Sequence, residues 1–367
     1  MKVFKTQVLK TKQDSFVSKI FFADEFDLGL GDFDENNSLF VFDTNTEKFF
    51  SNKINKKNNL VIPAGESAKN IFTVQKILET AVQKKLTRQS VICAVGGGVV
   101  CDIVAFCASV FKRGMNLVLV PTSLLAMVDA SIGGKTGFDF AGIKNSVGSF
   151  YTAKSVLIFF DCLKSLSSKE YKNGLAEILK MGMINEERIL QILAQTSVED
   201  FFMPSEALKE LIFLSIAGKM KIVKKDSREK NQRKFLNLGH TFAHALEALT
   251  NFDLVSHGEA VAWGIAQELS LGLSLGLTSA DYAKKIYALL KRFNYKIETF
   301  DKELADYTKI SYEGFCTNLV SLMQNDKKNT DSKISFSLQK NQGINLLLSL
   351  EPKMVYDFLI NKGIRLS

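Results

Sequence analysis

Ser90-Val-Ile-Cys-Ala-Val95, followed by Gly96-Gly97-Gly98 and an apolar segment from about Val99 to Phe111, is the stretch that decides the fold. The apolar run is typical of a strand buried on both faces, and the segment after the glycines predicts a helix. Glycine lets the backbone approach an anion, and the first amides of a helix can bind it, so this order suits phosphate binding. The glycines lack the Gly-x-Gly-x-x-Gly spacing of dinucleotide sites, and a simple tight turn explains them equally well.

Strands and helices alternate on both sides of this stretch. We predict further strands at residues 38–43, 60–62, 117–120 and 155–159, a helix at about 68–85, and a short helix from after Ser123 to about Ala130. Residues 1–8 alternate like a strand and lack the apolar core of a signal peptide. This alternation indicates an α/β domain with a mostly parallel sheet, whose ligands bind at the carboxyl ends of the strands.

The period of the apolar pattern changes near residue 167. Beyond it, apolar positions recur about every 3.6 residues, which predicts helices at 174–184, 187–194, 206–225, 240–248, 258–277 and 280–293. One late alternating segment, 333–338, is expected to pair with 344–350 as two short strands. Because 367 residues exceed one ordinary core, we predict an α/β domain over 1–167 and a mainly α-helical domain over 168–367.

Composition argues against several classes of protein. The net charge is +8, but basic and acidic residues are interleaved and no nucleic-acid motif is present, so a site for a small phosphorylated acid is the simpler use of the charge. No uncharged apolar stretch reaches membrane-spanning length. The five cysteines form no Cys-x-x-Cys pair and three lie in strongly apolar surroundings, which is typical of reduced core residues in a cytoplasmic protein.

All three histidines lie close together in the sequence. His240 and His244 are four residues apart, which puts two imidazoles about 40° apart on one helical face, and His257 follows thirteen residues later. The cluster favours a divalent metal, most simply zinc, although two helical histidines and a capping one explain the same spacing. Glu177 would complete a Glu-His-His site, but its i,i+3 spacing to Lys180 is also that of an ordinary helix ion pair.

Further polar residues lie at predicted strand ends and in predicted loops. Asp43 follows a buried strand and could bind a ribose hydroxyl or cap a turn. Gly133-Gly134-Lys135 predicts a flexible loop that presents one cation, with Asp129 six residues before it and Lys144-Asn145 in another loop, although surface lysines are usually just solvated. One polar stripe is expected, if its segment is helical throughout, from residues spaced 4, 3 and 4: Arg233, Asn237, His240 and His244.

With these motifs the chain resembles the 3-dehydroquinate synthases, within the wider sugar-phosphate cyclase family. The resemblance extends from about Asp43 to Leu338, and the motifs are Gly65-Glu-Ser-Ala-Lys69, Gly96-Gly-Gly-Val-Val-Cys-Asp102, Lys112-Arg-Gly114, Pro121 to Gly137, Lys144-Asn145, Gly174 to Lys180, Leu236 to His244, His257-Gly-Glu-Ala-Val261 and Asp326-Lys-Lys328. The resemblance implies a Rossmann-like domain followed by a helical domain, usually in a homodimer. It also implies conversion of 3-deoxy-D-arabino-heptulosonate 7-phosphate to 3-dehydroquinate and phosphate in the shikimate pathway of aromatic amino acid biosynthesis.

The same resemblance implies two cofactors and assigns residues to them. A divalent metal, Zn²⁺ or Co²⁺, would be held by Glu177, His240 and His257. Transiently reduced NAD would be held by Asp43, Asn45, Glu66, Lys69, Gly97, Gly98, Asp102, Thr122, Ser123 and Lys144. The phosphorylated sugar-acid substrate would be bound by Asp129, Lys135, Asn145, Lys180, Lys219, Arg233, Asn237, His244 and one of Lys327 and Lys328, and Arg113 matches an arginine that reaches a neighbouring subunit's site.

Other interpretations of the same residues stay open. His244 favours the dehydroquinate reaction, because relatives that use sedoheptulose 7-phosphate lack the second histidine of the pair. Cys101, Asp139 and Phe159 depart from the family pattern near the cofactor residues, which leaves room for a divergent cyclase acting on another heptulose phosphate. A metal- and NAD-dependent alcohol dehydrogenase and a non-catalytic protein of the same fold are the remaining alternatives.

Overall fold

The computed structural model describes residues 3–10, 17–31, 33–50, 53–54, 56–324 and 333–364. The chain divides into two compact units, Met1–Gly174 with Phe201–Arg228, and Leu175–Asp200 with Glu229–Ser367. The first unit thus includes a segment from well beyond residue 167. The domain boundary placed at that residue from the change of period stays a prediction.

A seven-stranded sheet forms the centre of the first unit. Its strands are β1 Val3–Lys10, β2 Val17–Ala23, β3 Ser38–Asp43, β4 Asn59–Ile62, β5 Val91–Gly96, β6 Asn116–Pro121 and β9 Ser155–Phe159, in the sheet order β1-β2-β9-β6-β5-β3-β4. The β1–β2 pair is antiparallel and the other pairs are parallel. Because β3 lies between β4 and β5, the chain diverges there, and the carboxyl ends of β3 and β5 form the switch point where open α/β sheets bind ligands.

The helices of the first unit are α1 Glu47–Phe50, α2 Ile71–Gln83, α3 Gly98–Val110 and α6 Glu206–Lys225. Helices α2 and α3 lie between strands in the chain, as the alternating pattern predicts, whereas α6 was expected in the helical domain. Every residue of β5 is buried, which fits a parallel strand covered on both faces. A β carbon at Gly96 would lie 2.5 Å from Cγ2 of Val100, so glycine permits the sharp change from β5 into α3. The predicted α/β class with a mostly parallel sheet is confirmed.

A separate hairpin replaces two predicted loops of the first unit. Its strands β7 Lys135–Phe140 and β8 Ile143–Phe150 are antiparallel, so the loop assignments of Lys135 and of Lys144-Asn145 were wrong. A β carbon at Gly137 would lie 2.7 Å from the Val147 carbonyl oxygen, and one at Gly148 would lie 2.3 Å from that of Thr136. These glycines allow close strand pairing, whereas in the sequence they are typical of loops.

Helices make up most of the second unit. They are α4 Ser168–Asn185 from Leu175 onward, α5 Glu187–Gln195, α7 His240–Leu249, α8 His257–Ser274, α9 Ala280–Arg292, α10 Lys302–Thr308, α11 Tyr312–Gln324 and α12 Pro352–Ile364. The rings of Phe242, Trp263, Phe315 and Phe336 are buried in its core. The predicted strand pair is confirmed as β10 Ile334–Asn341 and β11 Ile344–Leu350, which are antiparallel.

The β10–β11 hairpin caps the last turn of α4. The Gln339 side-chain amide donates to the Met183 carbonyl at 2.7 Å, and the Asn345 amide donates to the Ile184 carbonyl at 3.1 Å. The backbone amide of Gly343 also donates to Met183, at 3.1 Å. The final carbonyls of a helix have no partner within the helix, so these donors fix the end of α4.

The five cysteines are free thiols and all are buried, as expected for core residues. Burial raises the pKa of the Cys101 thiol above its ordinary value. Across the described ranges, the helices are too short or too polar for any of them to traverse a bilayer.

Candidate functional site

Three side chains of the second unit meet as the histidine cluster predicts. Their donor atoms all lie within 4.8 Å of one another, and they belong to Glu177, His240 and His257. The Nε2 atoms of His240 and His257 lie 3.5 Å and 3.6 Å from Oε1 of Glu177. The His244 ring lies 5.4 Å from that of His240, but His244 is not one of the three residues whose donor atoms converge.

Each of the three residues is positioned by a defined local structure. Glu177 lies within α4 and is 1% exposed. His240 is the first residue of α7 and follows Gly239, whose φ of 81° is left-handed and favours glycine. His257 is the first residue of α8, where Ser256 and Glu259 form a capping box. Both imidazoles thus project from rigid helix starts.

The far nitrogen of each imidazole faces an oxygen acceptor. Nδ1 of His240 lies 3.1 Å from the Leu238 carbonyl, and Nδ1 of His257 lies 3.3 Å from Oε1 of the buried Glu247. A proton on Nδ1 is favoured by such an acceptor, which leaves the Nε2 lone pair directed at the third partner. This is the arrangement in which histidines bind divalent metals.

In the absence of a metal, His257 holds a proton tightly. Desolvation lowers the pKa of its imidazole, but hydrogen bonds and charge attraction from Glu177 and Glu247 outweigh it and raise the pKa to about 10. A divalent ion at Nε2 would replace that proton and satisfy the same carboxylate.

The cluster fits a divalent metal. Both carboxylate oxygens of Glu177 are buried. The Lys180 ammonium lies 2.5 Å from Oε2 as an ion pair, which leaves Oε1 facing the two imidazoles. One carboxylate and two neutral imidazoles form a ligand set typical of catalytic zinc, with a further position open to substrate.

Cationic side chains lie in the same unit. Lys180 is 2% exposed and also donates to the Leu236 carbonyl at 2.8 Å, so the i,i+3 pair with Glu177 is a buried interaction and not a surface one. Arg233 is 1% exposed. Buried cations of this kind suit an anionic ligand far better than solvated surface lysines do.

The single stripe expected from Arg233, Asn237, His240 and His244 is wrong. A 3-10 turn covers Gln232–Asn237, Leu238 has non-helical backbone angles, and α7 begins only at His240. The segment is therefore not one helix, and the four residues do not share one helical face. The Asn237 side-chain amide donates to Oε1 of Glu229 at 2.9 Å.

Two of the expected substrate residues pair in the first unit. The Lys219 ammonium on α6 lies 2.6 Å from Oδ1 and 2.6 Å from the carbonyl oxygen of Asp129. Asp129 is in a π-helical turn, Ala126–Ala130, a conformation common at functional sites. This pairing places a buried ammonium at the end of the segment that follows β6.

Two further residues expected to bind substrate, Lys135 and Asn145, lie on the β7–β8 hairpin. Lys135 is exposed at the start of β7. Asn145 is exposed in β8 with a left-handed φ of 49°, and its backbone amide donates to Oδ1 of Asp139 at 2.7 Å. Burial raises the pKa of Asp139, and the Asn145 amide opposes that rise. Asp139, one of the three departures, therefore holds the strained backbone of Asn145.

Several expected NAD residues of the first unit lie where strands β3, β5 and β6 end. Asp43 ends β3, and its Oδ1 accepts from the backbone amides of Asn45 and Thr46 at 2.9 Å and 2.8 Å. The carboxylate thus caps a turn, which was the alternative to binding a ribose hydroxyl. Gly97 caps α3 and Gly98 begins it. Thr122 and Ser123 follow β6, with the Thr122 amide donating to the Gly96 carbonyl at 2.9 Å.

Charged residues on this side form two ion pairs. Lys69, 5% exposed, lies 2.6 Å from Asp102, and Lys144 lies 3.7 Å from Glu66. Burial lowers the pKa of Lys69, but Asp102 and Glu66 outweigh that effect and raise it, so the ammonium stays charged. Cys101 and Phe159, the other two departures, are buried core residues.

Two families of known proteins match this chain. The 3-dehydroquinate synthase N-terminal family matches residues 59–173, and the 3-dehydroquinate synthase C-terminal family matches residues 174–329. A 3-dehydroquinate synthase of Alkaliphilus metalliredigens (strain QYMF) is 34% identical over 327 residues, 88% of each chain. One from Helicobacter pylori (strain HPAG1) is 37% identical over 293 residues, 80% of each chain.

The chain belongs to the 3-dehydroquinate synthase family.

Solved structures share the fold of this family member. A 2-epi-5-epi-valiolone synthase from Streptomyces hygroscopicus subsp. jinggangensis 5008, with NAD⁺ and Zn²⁺ bound, has a TM-score of 0.81 at 22% identity. The match covers 98% of this chain and 99% of that synthase. A 2-deoxy-scyllo-inosose synthase complexed with carbaglucose-6-phosphate, NAD⁺ and Co²⁺ has a TM-score of 0.81 at 20% identity, with 97% and 99% covered. At these identities the likeness concerns the fold.

Some expected residues of the family site lie elsewhere or outside the described residues. Arg113 is exposed on a turn in which Lys112, Arg113 and Gly114 all have positive φ. Lys327 and Lys328 lie outside the described residues.

Sequence reasoning missed two acidic residues. They are Glu247, which faces Nδ1 of His257, and Glu229, which accepts from Asn237. An acid at a buried position of an apolar helix was the available signal for Glu247, because a lone buried carboxylate is costly.

Proposed function

We propose that this chain is a 3-dehydroquinate synthase that converts 3-deoxy-D-arabino-heptulosonate 7-phosphate to 3-dehydroquinate and phosphate in the shikimate pathway. Membership of the family and the cluster of Glu177, His240 and His257 beside Lys180 support this proposal. The cluster is the single observation that supports it most, because its ligand set suits the ion that this chemistry needs.

The proposed enzyme uses NAD and a divalent metal, Zn²⁺ or Co²⁺. When bound, the ion stabilises an alkoxide as a Lewis acid, and NAD takes up and returns a hydride, so no net reduction results. Glu177, His240 and His257 would hold the ion through Oε1 and the two Nε2 atoms. The dinucleotide would bind where β3 and β5 end, near Asp43 and the Gly97–Gly98 helix start.

Cations and hydrogen-bond donors of the chain would bind the substrate. Lys135, Lys180, Lys219 and Arg233 would neutralise its phosphate and carboxylate, with the arginine offering a planar fork for two parallel hydrogen bonds. Asp129, which aligns the Lys219 ammonium, would hold a substrate hydroxyl. Asn145 and Asn237 would donate to substrate oxygens, and His244 would orient the substrate or relay protons near neutral pH.

We further propose that the enzyme is a cytoplasmic homodimer. The five reduced, buried cysteines suit a reducing compartment. The exposed side chain of Arg113, presented by a strained turn, is suited to reach the site of a second subunit. Lys327 or Lys328 would add a further cation to the substrate site.

Phosphate release and NADH absorbance, measured together, test the function. The protein is supplied with Zn²⁺ and NAD⁺ and is incubated separately with 3-deoxy-D-arabino-heptulosonate 7-phosphate and with sedoheptulose 7-phosphate. Phosphate release from the first sugar alone, without NADH accumulation, is the expected result. Turnover of the second sugar alone would indicate another cyclase, and stoichiometric NADH would indicate an alcohol dehydrogenase.

A further inference from the structure

A buried carboxylate on α8 is bonded to the turn that precedes His240. Oε2 of Glu268 accepts a hydrogen bond of 2.7 Å from the backbone amide of Gly239, and Glu268 is 1% exposed. Gly239 is the residue immediately before His240 and has left-handed backbone angles. The amide that donates to this carboxylate therefore belongs to the residue joined directly to His240, a member of the metal cluster.

The middle of α8 packs against the turn at Gly239. One face of α8 contains His257, Val261, Gly264 and Glu268, whose spacing of 4, 3 and 4 keeps them in line over about three helical turns. A β carbon at Gly264 would lie 2.0 Å from the Gly239 carbonyl oxygen, and one at Gly239 would lie 2.9 Å from that of Val261. The two backbones are in direct contact, so the start of α7 has a fixed position on the helix that begins with His257.

The orientation of the His240 ring depends on this same turn. Its Nδ1 lies 3.1 Å from the carbonyl of Leu238, the residue before Gly239. A rotation of the Leu238–Gly239 peptide group would move both the acceptor of Nδ1 and the Cα of His240. Glu268 opposes that rotation, because the buried amide of Gly239 would lose its hydrogen-bond acceptor.

We propose that Glu268 is a positioning residue that holds His240 in the geometry for binding a divalent metal. Groups that bond to a histidine ligand without touching the metal orient that ligand, and their loss commonly lowers metal affinity about 10–100-fold. Glu268 does not bond to the imidazole itself. It bonds to the Leu238–Gly239 peptide group, whose carbonyl oxygen faces Nδ1 of His240. This inference rests on the proposed metal site.

Three variants separate positioning from general stability. Glu268→Leu removes the acceptor, whereas Glu268→Gln keeps a carbonyl oxygen at the same place. Gln267→Leu is the matched control, because Gln267 is the neighbouring buried residue of α8 and bonds instead to the Ile297 carbonyl at 3.1 Å and to Thr299 at 3.0 Å. For each protein, the Zn²⁺ dissociation constant is measured by chelator competition, together with the Co²⁺ visible spectrum and the metal-free Tm.

We expect Glu268→Leu to weaken Zn²⁺ binding by about 10–100-fold and to alter the Co²⁺ spectrum. Glu268→Gln should restore both properties to near the parent values. Gln267→Leu should lower the Tm but leave the dissociation constant and the spectrum unchanged. Equal losses of Zn²⁺ affinity in Gln267→Leu and Glu268→Leu, or an unchanged affinity in Glu268→Leu, would overturn the inference.

One measurement on the parent protein keeps the inference testable if Glu268→Leu does not fold. The Gly239 amide should be protected from hydrogen exchange in the metal-free protein, because its bond to Glu268 exists before metal binds. Exchange at the rate of an open loop would overturn the inference. If the parent bound no divalent metal at all, the proposed function would fail, which is distinguishable from a Glu268 variant that binds as the parent does.

Discussion

At the scale of single residues, His257 is a group at the metal cluster whose pKa is shifted. Two carboxylates flank its ring and raise its pKa from 6.5 to about 10 in the metal-free protein. A folded-state pKa above the unfolded value means that the bound proton stabilises the metal-free fold. That contribution is complete below the unfolded pKa and is lost as the pH rises through the folded pKa.

The affinity for Zn²⁺ should therefore rise with pH. A metal ligand must be neutral imidazole, so one proton leaves His257 for each ion bound, and the affinity should increase up to about tenfold per pH unit between about pH 7 and 9. Chelator competition at several pH values measures the slope, and calorimetry in buffers of different ionisation enthalpy measures the proton. Glu247→Gln should reduce the proton release, because it removes one cause of the raised pKa. A pH-independent affinity would contradict the assignment.

The Glu177→Gln variant tests the carboxylate ligand. The substitution preserves shape but removes the charge, so bound Zn²⁺ should be lost and kcat/KM should fall by at least about 10²-fold, since Lewis-acid stabilisation is worth several kcal/mol. The variant should also lose about 3–5 kcal/mol of unfolding free energy, because the buried Lys180 ammonium keeps no counter-ion.

Metal analysis, steady-state kinetics and urea unfolding measure these three effects of Glu177→Gln. Glu187→Gln, an exposed glutamate on α5, is the control and should behave as the parent. Full activity in a metal-depleted Glu177→Gln protein would refute the site.

At the scale of elements, the contact between α7 and α8 decides whether the two imidazoles meet. Each helix supplies its ligand from its first residue, so a small shift of one helix along the other separates the Nε2 atoms. Gly239 and Gly264 bring the two backbones together, since neither has a side chain at the contact. The geometry of the metal cluster therefore depends on these two glycines as well as on its three ligands.

Gly264→Ala should disturb both stability and metal binding. The new methyl group would lie 2.0 Å from the Gly239 carbonyl oxygen, which is backbone and cannot rotate away. Overpacking of this kind costs about 1–3 kcal/mol, and the helix shift that relieves it moves His240 away from Glu177. Urea unfolding and Zn²⁺ affinity measure the two effects.

The same substitution at Gly314 is the control for Gly264→Ala. Gly314 lies in α11, where a β carbon would come no closer than 3.4 Å to Ser311, so Gly314→Ala should be neutral or stabilising. A Gly264→Ala protein as stable as the parent would show that the contact is not tight.

At the scale of the whole molecule, the two proposed cofactors would bind to different units. The expected NAD residues all lie within Met1–Gly174, whereas the metal cluster lies within the second unit. A ligand that binds only the native state adds about 2.7 kcal/mol to the free energy of unfolding when its free concentration is 100 times its dissociation constant. The resulting protection from hydrogen exchange is greatest in the segments that the ligand contacts.

Hydrogen exchange should therefore distinguish the two ligands. Zn²⁺ added to metal-free protein should slow exchange in α4 and at the starts of α7 and α8, and NAD⁺ should slow exchange around residues 43–46 and 97–102. Mass spectrometry of peptides from each state measures this, with Mg²⁺ as the control ion. Protection of the second unit alone by NAD⁺ would refute the proposed dinucleotide site.

Much of the fold follows from local patterns in the sequence. The strand at 38–43 and the helix at 206–225 are observed with the predicted bounds. A continuous apolar run and a long helical repeat of apolar residues are each compatible with few other structures. The β7–β8 hairpin was missed, since its glycines and charged residues resemble a loop until the two strands pair. Helices α10, α11 and α12 were missed as well, and α10 is short with one buried residue, Leu304.

The sequence by itself determined the order of the elements, the α/β class and the kinds of ligand available, because these depend on side-chain chemistry and on spacings within single elements. Tertiary structure alone decided which two histidines face Glu177, that Glu247 faces His257 and Glu268 accepts from Gly239, and that Gly239 interrupts the expected stripe. The physical reason is that spacing fixes an angle around one helix, whereas a metal site depends on distances between helices. Those distances are set by how closely the backbones can pack.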